Sequence, residues 1–183
     1  MTDTELIKAA RRVLADLTPI PADCGELCGR ACCVDEGSEL DSSERGMLLF
    51  PGEARLASRT GFLHVSRISP SDCGPSLGFA ECRRRCIRHS RPLSCRIFPL
   101  VCYVRPEHRT LSRPPFEIIL DPRARGLCPL YVGKGENITK EFRNGVRRAY
   151  AILFRSPRQV RFACRLSAVL DDYLEFTNDQ TEL

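Results

Sequence analysis

The sequence predicts a small α+β domain, mainly helices and loops around a cysteine-rich metal site, with a few short strands. Three observations predict it. Apolar residues recur at helical spacing near both ends, short runs of branched and aromatic residues lie between them, and most of the 11 cysteines gather in the middle. A length of 183 residues suits one domain over 1–183, with an N-terminal helix in 1–17, a cysteine-cluster core in 18–130 and a C-terminal helical pair in 136–178.

The first element follows from Thr2-Asp3-Thr4-Glu5, which has capping-box spacing, and from Leu6, Ile7, Ala10, Val13, Leu14 and Leu17, which keep helical period. A helix over 4–17 is expected to stop at Thr18-Pro19-Ile20-Pro21, because proline disfavours helical geometry in the residue before it and donates no hydrogen bond. Residues 48–57 read as a short helix entered through Pro51, with Gly61 closing it. Residues 62–67, 100–104 and 116–120 read as strands, and the proline-rich 105–115 between the last two as a loop. Toward the end, Ile138, Phe142, Val146, Ala149 and Leu153 mark one helix. A second begins at Ser156-Pro157-Arg158-Gln159, where a capping serine, a first-turn proline and a reciprocal glutamine coincide. Two neighbouring stripes, Phe162, Leu166, Val169, Tyr173 and Phe176 beside Val160, Ala163, Ser167, Leu170 and Leu174, predict that this last helix is well buried.

Composition narrows the chemistry. No stretch of about 18 apolar residues offers a membrane span. Asp3, Glu5, Lys8, Arg11, Arg12 and Asp16 interrupt the apolar run that a secretion signal needs, so the expected compartment is the cytoplasm. Thiols are kept reduced there, which turns 11 cysteines, an odd number, toward metal ligation instead of a disulfide framework. The formal charge of +5 counts every cysteine as neutral, and thiolates on a metal would offset part of it.

The cysteines fall in two clusters. The first is Cys24-Gly25-Glu26-Leu27-Cys28-Gly29-Arg30-Ala31-Cys32-Cys33, four thiols within ten residues with glycine after two of them. Glycine beside a ligating cysteine allows a tight knuckle and close approach of backbone N–H groups to sulfur. The second holds Cys82, Cys86 and Cys95, with Pro92 and Pro99 presenting Cys95 between two fixed points. Cys73 precedes it and Cys128-Pro129 follows. Cys102, in an apolar run, and Cys164, inside the last helix, are expected to pack in the core.

Cys28-Gly29 with Cys32-Cys33, then Cys86-Ile87 and Arg91-Pro92-Leu93-Ser94-Cys95-Arg96-Ile97-Phe98-Pro99, resembles the YkgJ-type cysteine-cluster family. The resemblance spans about residues 24–128 and is most specific in the RPxxCRxFP pattern from Arg91 to Pro99. It departs from the family in its first intervals: Cys24 to Cys28 and Cys28 to Cys32 are each one residue longer than the usual C-x2-C-x2-C-C. The stretch from Cys86 to Arg91 is one residue short and carries Arg88 where the family commonly has an aromatic. The resemblance implies a zinc- or iron-chelating protein, often labelled an iron–sulfur protein without an assigned reaction. Cys28, Cys32, Cys33, Cys86 and Cys95 carry over best as ligands, with Cys24, Cys82 and Cys128 as additions.

Four-fold ligation lets these eight supply two sites, or one site with spares, and Cys32 and Cys33 either serve different ions or divide between ligation and packing. Sulfur donors suit zinc or an iron–sulfur cluster and not magnesium or calcium, and spacing does not choose between the first two. The expected function is therefore metal binding with no reaction specified. The alternatives are an iron–sulfur redox or electron-transfer protein and, with less support, a zinc-stabilised nucleic-acid module. Six arginines between Arg83 and Arg96 could meet phosphate, but guanidinium groups beside an anionic thiolate centre are the stronger explanation, and no interleaved aromatics support nucleic acid. No nucleophile–base pair, Walker A or dinucleotide pattern marks an enzyme, and His64, His89 and His108 are scattered.

Overall fold

The computed structural model describes residues 1–29, 32, 46–68, 77–82 and 88–179. Its long helices stand at the two ends of the chain, as the apolar spacing predicts. Helix α1 (Asp3–Val13) opens with the full capping box: Thr2 Oγ1 accepts from the Glu5 backbone N–H, and the Glu5 carboxylate accepts from the Thr2 N–H at 2.7 Å. It ends four residues earlier than the sequence suggests. Tertiary bonds win there: Arg88 donates to the Leu17 carbonyl and the Thr139 N–H to Pro19 O, drawing residues 14–20 out of the helical path.

Helix α2 (Cys24–Leu27) is a single turn. Strand β1 (Met47–Leu48) and helix α3 (Ala54–Ala57) occupy the stretch read as one helix over 48–57. The correction has a local cause, since Leu49 pairs with Gly78 O and Gly52 sits at φ +85°, a left-handed kink that interrupts any helix. Strands β2 (Leu63–Ile68) and β3 (Leu77–Cys82) complete an antiparallel sheet ordered β1-β3-β2, registered by Met47 opposite Ala80 and Leu63 opposite Cys82. Leu49, Ala57 and Ala80 form its small apolar centre.

Helix α4 (Leu93–Ile97) leads into β4 (Leu100–Tyr103), which pairs antiparallel with β5 (Glu117–Leu120). The loop between them, with a 3-10 turn at Pro106–His108, is tied back to the last helix. Arg109 grips Asp171 through two bonds of 2.6 and 2.7 Å, and the Tyr103 hydroxyl donates to the same carboxylate. After the single-turn α5 (Pro129–Val132) come α6 (Lys140–Leu153), capped by Thr139, and α7 (Pro157–Asp179).

The main core lies where α1 meets α6. Leu6, Ile7, Ala10 and Leu14 pack with Phe142, Val146, Ala149 and Leu153, all at or near zero exposure. Gly145 permits the approach, because a Cβ there would lie 2.3 Å from Leu17 Cδ1. Phe50 adds its ring between Tyr150 and Phe162. Cys102 and Cys164 are both buried in this core, as expected of packing cysteines.

Helix α7 departs from the sequence reading in two ways. Its Val160, Ala163, Ser167 and Leu170 are buried, and Phe162 and Leu166 of the other stripe also pack on the core, but Val169 and Tyr173 further along that stripe face outward. Gln159 does not turn back to Ser156; its amide reaches Pro51 O at 2.8 Å, tying α7 to the loop before α3. No helix among the described residues is long and apolar enough to cross a membrane.

Candidate metal centre

Five of the candidate cysteines, Cys24, Cys28, Cys32, Cys95 and Cys128, line one cavity of about 70 Å³. They arrive from three separated stretches of chain, each shaped by local bonds. The first is α2. Asp23 caps it, its carboxylate accepting the Gly25 N–H at 3.2 Å, which sets Cys24 at the head of the turn. Cys28 closes the turn and its Sγ lies 3.4 Å from the Cys24 carbonyl. Gly29, at φ +59°, then takes a left-handed step that ends the turn.

The second stretch is the RPxxCRxFP segment, and most of its fixed residues have a visible task. Arg91, nearly buried, lines the cavity and reaches the Asp23 carboxylate at 3.5 Å, so it joins the two cysteine clusters. Pro92 precedes α4 and offers no side-chain cap. Glu53, with no exposed surface, supplies one from a distance: its carboxylate accepts the N–H of Leu93, the first residue of α4, and also the N–H of Phe50 at 3.2 Å. Burial pushes the Glu53 carboxyl up to about 7, against the opposing pull of these two N–H groups and of Arg11 and Arg96. Arg96 donates to three backbone carbonyls, of Arg91, Arg11 and His89, locking α4 to α1 and to the 3-10 turn Arg88–Ser90. Cys95 is thus held half-buried on a short helix clamped at both sides.

The third stretch follows β5. Asp121 caps the turn Pro122–Ala124 and pairs with Arg123 at 2.6 Å, while its own N–H bonds to Pro99 O, placing this segment directly after the second. Cys128 stands at the head of α5, where the Leu130 and Tyr131 N–H groups favour its thiolate.

Burial is the largest influence on the Cys24 and Cys128 thiols and raises both above their ordinary range. Arg91 pulls Cys24 the other way, and Cys28 and Cys128 sit close enough to raise it further by like charge. The remaining wall is apolar, from Ile20, Met47, Phe98, Pro99, Leu127 and Leu130. Such a lining excludes water and strengthens any attraction between a cation and thiolates. Among the described residues no three His, Cys, Asp or Glu side chains stand gathered tightly enough to hold an ion as they are.

Of the other expected ligands, Cys82 ends β3 opposite Leu63 and does not line the cavity, and Cys33 and Cys86 lie outside the described residues. Sequence reasoning missed Glu53 and the pairing of Arg91 with Asp23. The available signal for Glu53 was a single acid in the otherwise uncharged run from Leu48 to Ala54. No family model, curated protein or solved structure matches the chain.

Proposed function

We propose that this is a metal-binding protein whose clustered cysteines hold zinc or an iron–sulfur cluster, the reading offered by its likeness to the YkgJ-type family. One observation carries it: cysteines from positions 24 to 128 share one cavity. Cys24, Cys28, Cys95 and Cys128 would supply the sulfur donors with Cys32 at the rim, and Arg91 the neighbouring positive charge that an anionic centre needs. Bound zinc supplies a cross-link between the three stretches; an iron–sulfur cluster supplies that and a one-electron centre. Either fits the cytoplasm, where thiols stay reduced.

Purification without oxygen, elemental analysis and an absorption spectrum test the proposal. Zinc in a colourless protein supports a structural centre, whereas iron with sulfide and a broad visible band supports electron transfer. Cys95→Ser and Cys128→Ser should each lower metal stoichiometry, and Cys164→Ser, in the core, should leave it intact. A chain that retains neither metal, or equal loss in all three variants, rejects the proposal.

A further inference from the structure

Positive charge is dense in two segments of this chain, 83–105 and 142–170, each with seven of the 28 basic residues and none of the 23 acidic ones. The second builds most of α6 and the first half of α7. Six of its seven, Arg147, Arg148, Arg155, Arg158, Arg161 and Arg165, are exposed. Arg158 alone among these six has a carboxylate partner in the described residues, Asp3 at 3.2 Å.

Helix α7 arranges part of this charge in a line. Arg158, Arg161 and Arg165 follow at steps of three and four, and Val169 and Tyr173 continue the same outward stripe, 53% and 46% exposed. Folding alone does not favour such an order. The helix dipole is positive at the N-terminal end, so Arg158, in the first turn, stands where a stable helix prefers acids. Two exposed apolar side chains in register with them add area that water does not reward.

We propose that this stripe of α7, headed by Arg155, docks an acidic amphipathic segment of a partner protein. Carboxylates of the partner would meet the guanidinium row in paired hydrogen bonds, and its apolar side chains would cover Val169 and Tyr173. Arginine and tyrosine are the residue types enriched at protein interfaces. A phosphate backbone would satisfy the arginines and leave the apolar end of the stripe bare, which favours protein over nucleic acid.

Fluorescence anisotropy with the full chain tests this. The probes are a labelled helical peptide with glutamates on one face and leucines on the other, a DNA duplex and a single-stranded RNA. The peptide should bind more tightly than either nucleic acid. Arg155→Glu/Arg161→Glu/Arg165→Glu should weaken the peptide by about tenfold or more, Val169→Ser by a smaller factor, and Arg67→Glu on the distant β2 should change nothing. The triple variant should melt at about the same temperature, because all three side chains are exposed and none forms an ion pair with a carboxylate among the described residues; an Arg→Gln triple serves as a second test of binding without charge reversal. Tighter binding to DNA or RNA, no binding to any probe, unchanged peptide affinity in the triple variants, or a lowered melting temperature would each overturn the proposal.

Discussion

The core between α1 and α6 and the cysteine wall beside it are stabilised in different ways. In the core, long helices lay continuous apolar faces together, and Leu6, Ile7, Phe142 and Val146 lose essentially all contact with water. The wall uses α2, α4 and α5, of four or five residues each, far too short to persist alone, and its thiols are only partly covered. What holds the wall is a handful of directional bonds: Asp23 with Arg91, Glu53 with Leu93, Arg96 with three carbonyls. Stability by area is shared among many residues, whereas stability by named bonds can be lost one residue at a time.

Three measurements break or sharpen this contrast. The largest effect is expected at the proposed centre, from treating the purified protein with a strong chelator. Amide exchange should then accelerate throughout α2, α4 and α5, by as much as a structural ion contributes, on the order of several kcal/mol, while α1 and α6 keep their protection. Uniform loss across all five helices would erase the distinction. Next, Phe142→Ala should cost about 3–5 kcal/mol in denaturant unfolding, because it empties the centre of the core, yet leave metal stoichiometry unchanged in the folded fraction.

The smallest effect concerns Glu53. Its folded-state carboxyl titrates near 7 against an ordinary 4.5, so the folded chain retains a proton that the unfolded chain has released. That contribution to stability is full below 4.5 and disappears as pH rises through about 7. Glu5 and Asp171 have lowered values and act in the opposite sense, at more acidic pH. Glu53→Gln should therefore flatten the stability profile between 4.5 and 7, read by denaturant titration across pH. A slope unchanged by the substitution would place the proton elsewhere.

The same contrast governs how much the sequence reveals. Helices α1, α6 and α7 are legible because their stability comes from periodic apolar residues and local caps, Thr2 with Glu5 above all. Strands β2, β4 and β5 are legible from branched and aromatic runs. Strand β3 is not, because Leu77-Gly78-Phe79-Ala80-Glu81-Cys82 gains its extended form from partners on both sides, one of them more than ten residues upstream. The end of α1 and the role of Gln159 were misread for the same reason, each being set by a residue distant in the chain. In the site, cysteine spacing and the Arg91–Pro99 motif identified five of the side chains that share the cavity. Spacing also nominated Cys82, since adjacency in sequence cannot show that a strand carries it off to the sheet. Glu53 stayed hidden because its partners lie 40 residues away at Leu93 and locally at Phe50, and no short pattern encodes that pairing.

Cys128 supplies the last side of the cavity, and the peptide that carries it is made long after Cys24 has emerged. During synthesis the early thiols must therefore wait, exposed to oxidants and to stray cations, until more than a hundred further residues have been translated. For the proposed centre to form, a cell that makes this protein has to keep those nascent sulfurs reduced throughout that interval, and growth under oxidative stress should harm newly made chains before it harms finished ones.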